Sequence, residues 1–186
     1  MGKSILITGG ARSGNSRLAE NFMKDLSGPV LYLATAKVCD DEMRLRVEKH
    51  RQSRPACWDT IEAYRGLGKI ISEKGSDYKG ILLDCITIMV TNLLFDFPEM
   101  QRDEFSSESV EKAEEAIMAE VKDLIDGIAS SPATVIMVTN ELGSGVVPEY
   151  PIARAFRDIA GRVNQYLASQ VDEVYLTVCG LPLRLK

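Results

Sequence analysis

Ser4-Ile5-Leu6-Ile7-Thr8-Gly9-Gly10-Ala11-Arg12-Ser13-Gly14-Asn15-Ser16-Arg17-Leu18-Ala19-Glu20 is the stretch from which the rest of the chain is read. A short apolar run ends in a glycine-rich turn, and a segment of helical period follows at once, which is the strand, loop and helix of a phosphate-binding P-loop. The spacing Gly9-x4-Gly14-x-Ser16 matches that motif. Glycines let backbone N–H groups turn inward around phosphate oxygens, and a helix starting near Ser16 points its positive end at the same anion. Ser16 is expected to ligate Mg2+ through its hydroxyl. One position departs: the motif calls for Lys, holding the β/γ-phosphates as a point charge, and this chain has Asn15. Asn keeps a donor and loses the charge and the reach. The plainer reading of such a turn is an ordinary strand-to-helix connection; the agreement of glycines, serine and flanking segments favours the phosphate site.

The chain has 186 residues, 45% of them hydrophobic, enough for one substantial core and too few to suggest two, so a single domain over 1–186 is expected. Twenty-two Lys and Arg against 27 Asp and Glu give a formal charge of -5, which argues against nucleic acid as a partner. Cys39, Cys57, Cys85 and Cys179 are scattered without a C-x-x-C pair, and His50 is the single histidine, so neither a disulfide framework nor a zinc site is indicated. Met1-Gly2-Lys3 runs straight into the first apolar segment with no leader pattern, and no apolar run approaches the roughly 20 residues of a membrane span. A cytoplasmic location follows.

Outward from the loop, Leu18, Ala19, Phe22, Met23 and Leu26 form one face of a helix over Arg17 to Leu26, stopped by Gly28-Pro29. Val30 to Thr35 is a second buried strand; one helix between two strands predicts a βαβ unit and a parallel pair. Asp40-Asp41-Glu42-Met43 opens a helix that runs through Arg44, Arg46, Lys49, His50 and Arg51 to Arg54-Pro55, the densest basic patch of the chain. By spacing alone, a solvated helix with an incidental histidine is somewhat favoured there over a catalytic one. Trp58 to Glu62 leads into a helical stretch ending near Glu73. Gly80 to Ile86 is an apolar run carrying Asp84 near its end, the form of a Walker B strand whose carboxylate approaches Mg2+; an Asp ending a strand is also a common helix cap.

Thr87 to Phe95 reads as a buried helix with Thr87, Thr91 and Asn92 as polar exceptions, and Asp96 to Ser107 as an excursion. Val110, Ala113, Ile117, Val121, Leu124 and Ile128 step by three and four through Ser109 to Ile128, an amphipathic crossover helix. Thr134 to Thr139 is the fourth strand, and the loop from Asn140 leaves its C-terminal end, where open α/β sheets bind ligands. Ile152 to Ser169 is helical and Val174 to Cys179 a strand. Gly180-Leu181-Pro182 turns it into Leu183 to Leu185, an antiparallel edge on a mostly parallel sheet.

With these stretches in place the chain resembles the bifunctional adenosylcobinamide kinase and adenosylcobinamide-phosphate guanylyltransferase family of cobalamin biosynthesis. The resemblance is carried by Thr8 to Gly14 with Ser16-Arg17, Leu31 to Thr35, Asp40 to Met43, His50 with Arg54-Pro55-Ala56 and Trp58, Leu82 to Thr87, Val90 to Leu94, Val138 to Glu141, Gly145 to Pro148 and Phe156 to Gln165. It implies a RecA-like α/β P-loop NTPase fold, a mostly parallel sheet flanked by helices. It also implies two reactions: phosphorylation of adenosylcobinamide by a nucleoside triphosphate, GTP or ATP, and transfer of GMP from GTP to adenosylcobinamide-phosphate through a guanylylated histidine.

His50 matches that histidine. A neutral imidazole is a competent nucleophile near pH 7, and Arg46, Lys49, Arg51 and Arg54 disfavour its protonation while attracting triphosphate. The family's nucleotide-contacting positions carry over to Gly9, Gly10, Ala11, Arg12, Ser13, Gly14, Asn15, Ser16, Thr35, Ala36, Lys37, Arg51, Gln52, Ser53, Arg54, Glu62 and Asp84. Ser16 and Asp84 serve Mg2+. Asp84 stands where relatives usually have Glu. The resemblance further implies a homotrimer, and the loop from Leu142 to Tyr150 is a candidate for contact with the corrinoid. Because of Asn15 two alternatives stay open: a guanylyltransferase without kinase activity, and an impaired nucleotide-binding chain.

Overall fold

The computed structural model describes residues 2–37, 55–102 and 104–186. Its strands are β1 (Ser4–Gly9), β2 (Val30–Ala34), β3 (Asp59–Glu62), β4 (Gly80–Asp84), β5 (Thr134–Val138), β6 (Glu173–Val178) and β7 (Leu181–Arg184). Its helices are α1 (Asn15–Lys24), α2 (Leu67–Lys74), α3 (Ile86–Phe95), α4 (Ser107–Ser130) and α5 (Pro151–Gln170), with short 3-10 turns at Gly75–Asp77 and Pro98–Gln101. The strands form one sheet in the order β3-β2-β4-β5-β1-β6-β7, parallel except for the β6-β7 hairpin.

The period-two alternation of the strands sorts side chains into two layers. Ile5, Ile7, Tyr32, Leu82, Ile136 and Val138 face Ala19 and Met23 of α1. Leu6, Leu31, Leu33, Ile81, Leu83, Val135 and Met137 face the other way, onto Ile71 of α2, Met89 of α3, Val121 of α4 and Val163 of α5. A sheet buried on both faces is why β2, β4 and β5 read as unbroken apolar runs.

Three expectations are corrected. β1 and β2 are parallel but are not neighbours, because β4 and β5 lie between them; one intervening helix sets direction and not adjacency. The lead-in Asp59 to Glu62 is an edge strand beside β2, mostly exposed and therefore lacking an apolar run. At the C-terminus the turn sits at Cys179-Gly180, both with positive φ, and Leu181-Pro182 already belong to β7, with Pro182 opposite Thr177. The expected helix from Asp40 to Arg54 lies outside the described residues.

Candidate functional site

The parallel strands bring their C-terminal ends into one row. Ala34 pairs with Glu62 on one side and with Asp84 on the other, Asp84 pairs with Val138, and Val138 with Ile7. Gly9 pairs with Thr177. Gly9 to Ser16, Thr35 to Lys37, Glu62 and Asp84 therefore all leave the same edge of the sheet, although they are far apart in sequence.

The loop from Gly10 to Gly14 turns tightly, with the Ser13 N–H donating to the Gly10 carbonyl at 3.1 Å. Gly14 is the N-cap of α1 at φ +103°, so the cap position offers no side chain, and no acidic residue occupies the first turn. Without a capping side chain at Gly14, that end of the helix has the character of an anion site. The β6-β7 turn braces the loop: the Gly180 N–H donates to the Ser13 carbonyl at 2.8 Å, and Ser13 Oγ lies 2.7 Å from Thr177 Oγ1. Thr177 spends its own proton on the Thr8 carbonyl at 3.1 Å, so Ser13 is the donor between the two hydroxyls. A Cβ at Gly9 would stand 2.3 Å from each of those oxygens and 2.8 Å from the Thr177 carbonyl oxygen, so any side chain there would break the brace.

Ser16 Oγ lies 3.5 Å from Asp84 Oδ1, and Tyr32, only 3% exposed, donates to Asp84 Oδ2 at 2.9 Å. One carboxylate oxygen is thus held from within the fold and the other faces the P-loop serine. Among the described residues no group of three or more His, Cys, Asp or Glu side chains makes a metal cage. A hydroxyl and a carboxylate side by side suit Mg2+, which keeps several waters and takes its other ligands from substrate phosphates.

Thr35 ties the ends of β2 and β4 together, donating to the Cys85 carbonyl at 2.8 Å and accepting from the Cys85 N–H at 2.8 Å. Asn92 of α3 donates to the Thr35 carbonyl at 2.8 Å. Burial pushes the Cys85 thiol up to about 12, so it stays protonated near neutrality. Beside Thr35, a cavity of about 450 Å³ is lined by Ala36, Lys37, Glu62, Tyr64 and Arg65 among others, with the Lys37 ammonium 5.7 Å from the centre of the Tyr64 ring. A larger depression of about 710 Å³, bordered by Lys3, Lys79 and Asp172, opens at the other end of the sheet, away from every one of these groups.

Asn15 is 9% exposed. Its Nδ2 donates to the Thr139 carbonyl at 2.9 Å and lies 3.5 Å from Asn140 Oδ1, while its Oδ1 accepts the Ser16 N–H at 3.0 Å. The end of β5 is held in turn by Thr87, which accepts the Asn140 N–H at 2.8 Å, and by Asn164, which accepts from Thr139 Oγ1 at 2.8 Å and donates to the Asn140 carbonyl at 3.0 Å.

The structure thus brings the loop, Thr35 to Lys37, Glu62 and Asp84 to one edge of the sheet. His50, Arg51, Gln52, Ser53 and Arg54 lie outside the described residues. Sequence reasoning missed Tyr32 and Thr177, and did not connect Thr87, Asn164 and Thr139 with the loop. A polar residue inside an apolar strand or helix was the available signal in each case.

A model of the family described as cobinamide kinase / cobinamide phosphate guanyltransferase matches residues 5–185. The chain is 49% identical over 183 residues to the bifunctional adenosylcobalamin biosynthesis protein CobU of Escherichia coli K12, covering 98% of this chain and 99% of that one. It is 48% identical, with the same coverage, to CobU of Salmonella typhimurium LT2, and 37% identical to the bifunctional adenosylcobalamin biosynthesis protein CobP of Pseudomonas aeruginosa, covering 97% of this chain and 96% of that one. Among solved structures, an ATPase from the type III secretion system of pathogenic bacteria superposes with a TM-score of 0.58 at 12% identity, over 95% of this chain and 52% of that one. The assembled ATPase EscN of enteropathogenic E. coli gives 0.55 at 14%, over 96% and 43%. The chain spans about half the length of those ATPases, and the likeness establishes a shared P-loop fold. With the family's model running from the first strand to the last, the chain belongs to the cobinamide kinase / cobinamide phosphate guanyltransferase family, transferases of cobalamin biosynthesis.

Proposed function

We propose that this chain, acting as one catalytic domain over 1–186, phosphorylates adenosylcobinamide and then transfers GMP from GTP to adenosylcobinamide-phosphate, giving adenosylcobinamide-GDP. In the first reaction the aminopropanol hydroxyl oxygen attacks the γ-phosphorus of GTP or ATP; the bond to the β-phosphate oxygen breaks, the diphosphate leaves, and the hydroxyl proton passes to solvent. In the second, an imidazole nitrogen of His50 attacks the α-phosphorus of GTP and pyrophosphate leaves. The phosphate oxygen of the corrinoid then displaces the imidazole, so that a P–O bond replaces the P–N bond. Bound Mg2+ would neutralise charge on the phosphate oxygens.

The observation that carries this reading is the convergence of Ser16 and Asp84, 3.5 Å apart, beside a glycine-rich helix start with no acidic residue in its first turn. The loop amides orient the α- and β-phosphates, and Ser16 and Asp84 hold the metal. Thr35, Ala36, Lys37 and Glu62 border the cavity that adjoins them and are assigned to the nucleotide. The corrinoid is assigned to the loop before α5, where Val146 is 94% exposed and Tyr150 71%. A cytoplasmic homotrimer using no nucleic acid completes the reading.

The test is incubation with α-labelled GTP and Mg2+. Acid-labile, base-stable label on the parent and none on His50→Ala is expected; equal label on both would remove His50 from the role. A second reading, guanylyl transfer without the kinase step, is favoured by the inward hydrogen bonds of Asn15. It predicts GMP transfer to added adenosylcobinamide-phosphate and no phosphorylation of adenosylcobinamide.

A further inference from the structure

We infer that Asn15 makes the nucleotide site indifferent to the terminal phosphate, so that guanosine di- and triphosphates bind with similar affinity. The inference rests on reading Gly9 to Ser16 as a nucleotide site. In a P-loop the backbone amides meet the α- and β-phosphates, and the side chain at this position is the one that reaches the β/γ oxygens with a positive charge. Here that side chain is turned into the fold and both ends of its amide are engaged. Nδ2 donates to the Thr139 carbonyl at 2.9 Å and Oδ1 accepts the Ser16 N–H at 3.0 Å.

The latch is fixed from the far side as well. Thr139 donates to Asn164 at 2.8 Å, and Asn164 holds the Asn140 carbonyl at 3.0 Å, so the end of β5 is not free to follow a rotating Asn15. Swinging the amide out towards a phosphate would leave the buried Thr139 carbonyl without its donor and would still bring no charge to the anion. The Ser16 N–H, one of the first-turn donors of α1, is also shared with Asn15. Among the described residues of the loop and of the β4 end, what remains is the backbone of Gly10 to Gly14 and the Ser16–Asp84 pair, and the backbone share is common to di- and triphosphate. A charge-assisted contact to the terminal phosphate is worth roughly 10- to 100-fold in affinity, and that factor is absent. Chemistry at the α-phosphate keeps its binding determinants, whereas a diphosphate competes on equal terms with the triphosphate.

The experiment is calorimetric titration of the full chain, with Mg2+, using the α,β-methylene analogues of GTP and GDP, neither of which can be cleaved at the α-phosphorus. Dissociation constants within about threefold of each other are expected for the parent, and a preference for the triphosphate of roughly tenfold or more in Asn15→Lys. A parent that already prefers the triphosphate tenfold overturns the inference alone and leaves the nucleotide site standing, as does an Asn15→Lys chain whose ratio does not move. Failure of both analogues to bind either chain overturns the nucleotide site and the inference with it. The parent ratio decides even if the variant does not fold.

Discussion

Asp84 owes its orientation to Tyr32. The Tyr32 hydroxyl takes Oδ2 at 2.9 Å, which leaves Oδ1 facing Ser16 at 3.5 Å. The short Asp side chain has little freedom to find a metal by rotation, so a fixed rotamer matters. In Tyr32→Phe the loss of that bond is expected to weaken Mg2+-supported binding of the GTP analogue by about 3- to 10-fold, with binding in EDTA unchanged. Calorimetry with and without metal checks it; an equal loss in both conditions would mark a structural role only. The place of Asp84 at the end of its strand was legible in the sequence, since it closes an apolar run. Tyr32 was not legible, because a Tyr in a buried strand reads as core until its hydroxyl is seen to reach a partner.

At the scale of elements, α2 and α4 pack with their backbones in contact. A Cβ on Gly127 would stand 2.2 Å from the Gly68 carbonyl oxygen, and one on Gly68 would stand 2.1 Å from the Asp123 carbonyl oxygen. Neither atom is the end of a flexible side chain, so the helices themselves would have to separate. Gly127→Ala is expected to destabilise the fold by about 2–3 kcal/mol, a fall in Tm of roughly 4–10 °C by calorimetry. Helix α4 was evident from its apolar steps of three and four, and the structure lengthens it only at its ends, where Ser106 accepts the Ser109 N–H at 3.1 Å as the N-cap. The backbone contact with α2 was invisible, because a glycine inside a helical pattern looks the same whether it faces water or another helix. Strand β3 escaped for a related reason: an exposed edge strand of four residues carries no apolar signature, and its partner β2 supplies the order.

Across the whole molecule the two ends of the chain are tied at the edge of the sheet remote from the site. Asp172 accepts both the Ser4 N–H and the Ser4 hydroxyl at 2.7 Å, and those bonds hold its carboxyl below the usual range. Lys3 lies 2.6 Å from Glu173, with the Tyr175 hydroxyl at 3.0 Å and Arg184 at 3.2 Å, and that carboxyl is likewise held low, Lys3 contributing most. A depressed folded pKa stabilises above the unfolded value and loses its effect as pH falls through the folded one. Stability from these two groups is therefore fully present above about pH 5 and declines below the ordinary carboxylate range near pH 4. Asp172→Asn is expected to shrink the acid-side fall in Tm, measured between pH 7 and pH 3; an unchanged acid limb would show that the Ser4 contact contributes nothing to it.

Read alone, the chain determines the glycine-rich loop and the strand and helix types of most segments, and it marks Ser16 and Asp84 as candidates, because these are local matters of period, glycine spacing and residue chemistry. It leaves undecided which strands are neighbours. β1 and β2 are separated by β4 and β5, and this non-local choice is what sets Asn15 against the end of β5 rather than in the phosphate site. The brace from Thr177 and Gly180 onto Ser13, and the network of Thr87, Thr139 and Asn164, are decided in the same way. Each joins residues that only the closed sheet makes adjacent, and a polar side chain's partner is a property of that adjacency rather than of its sequence neighbours.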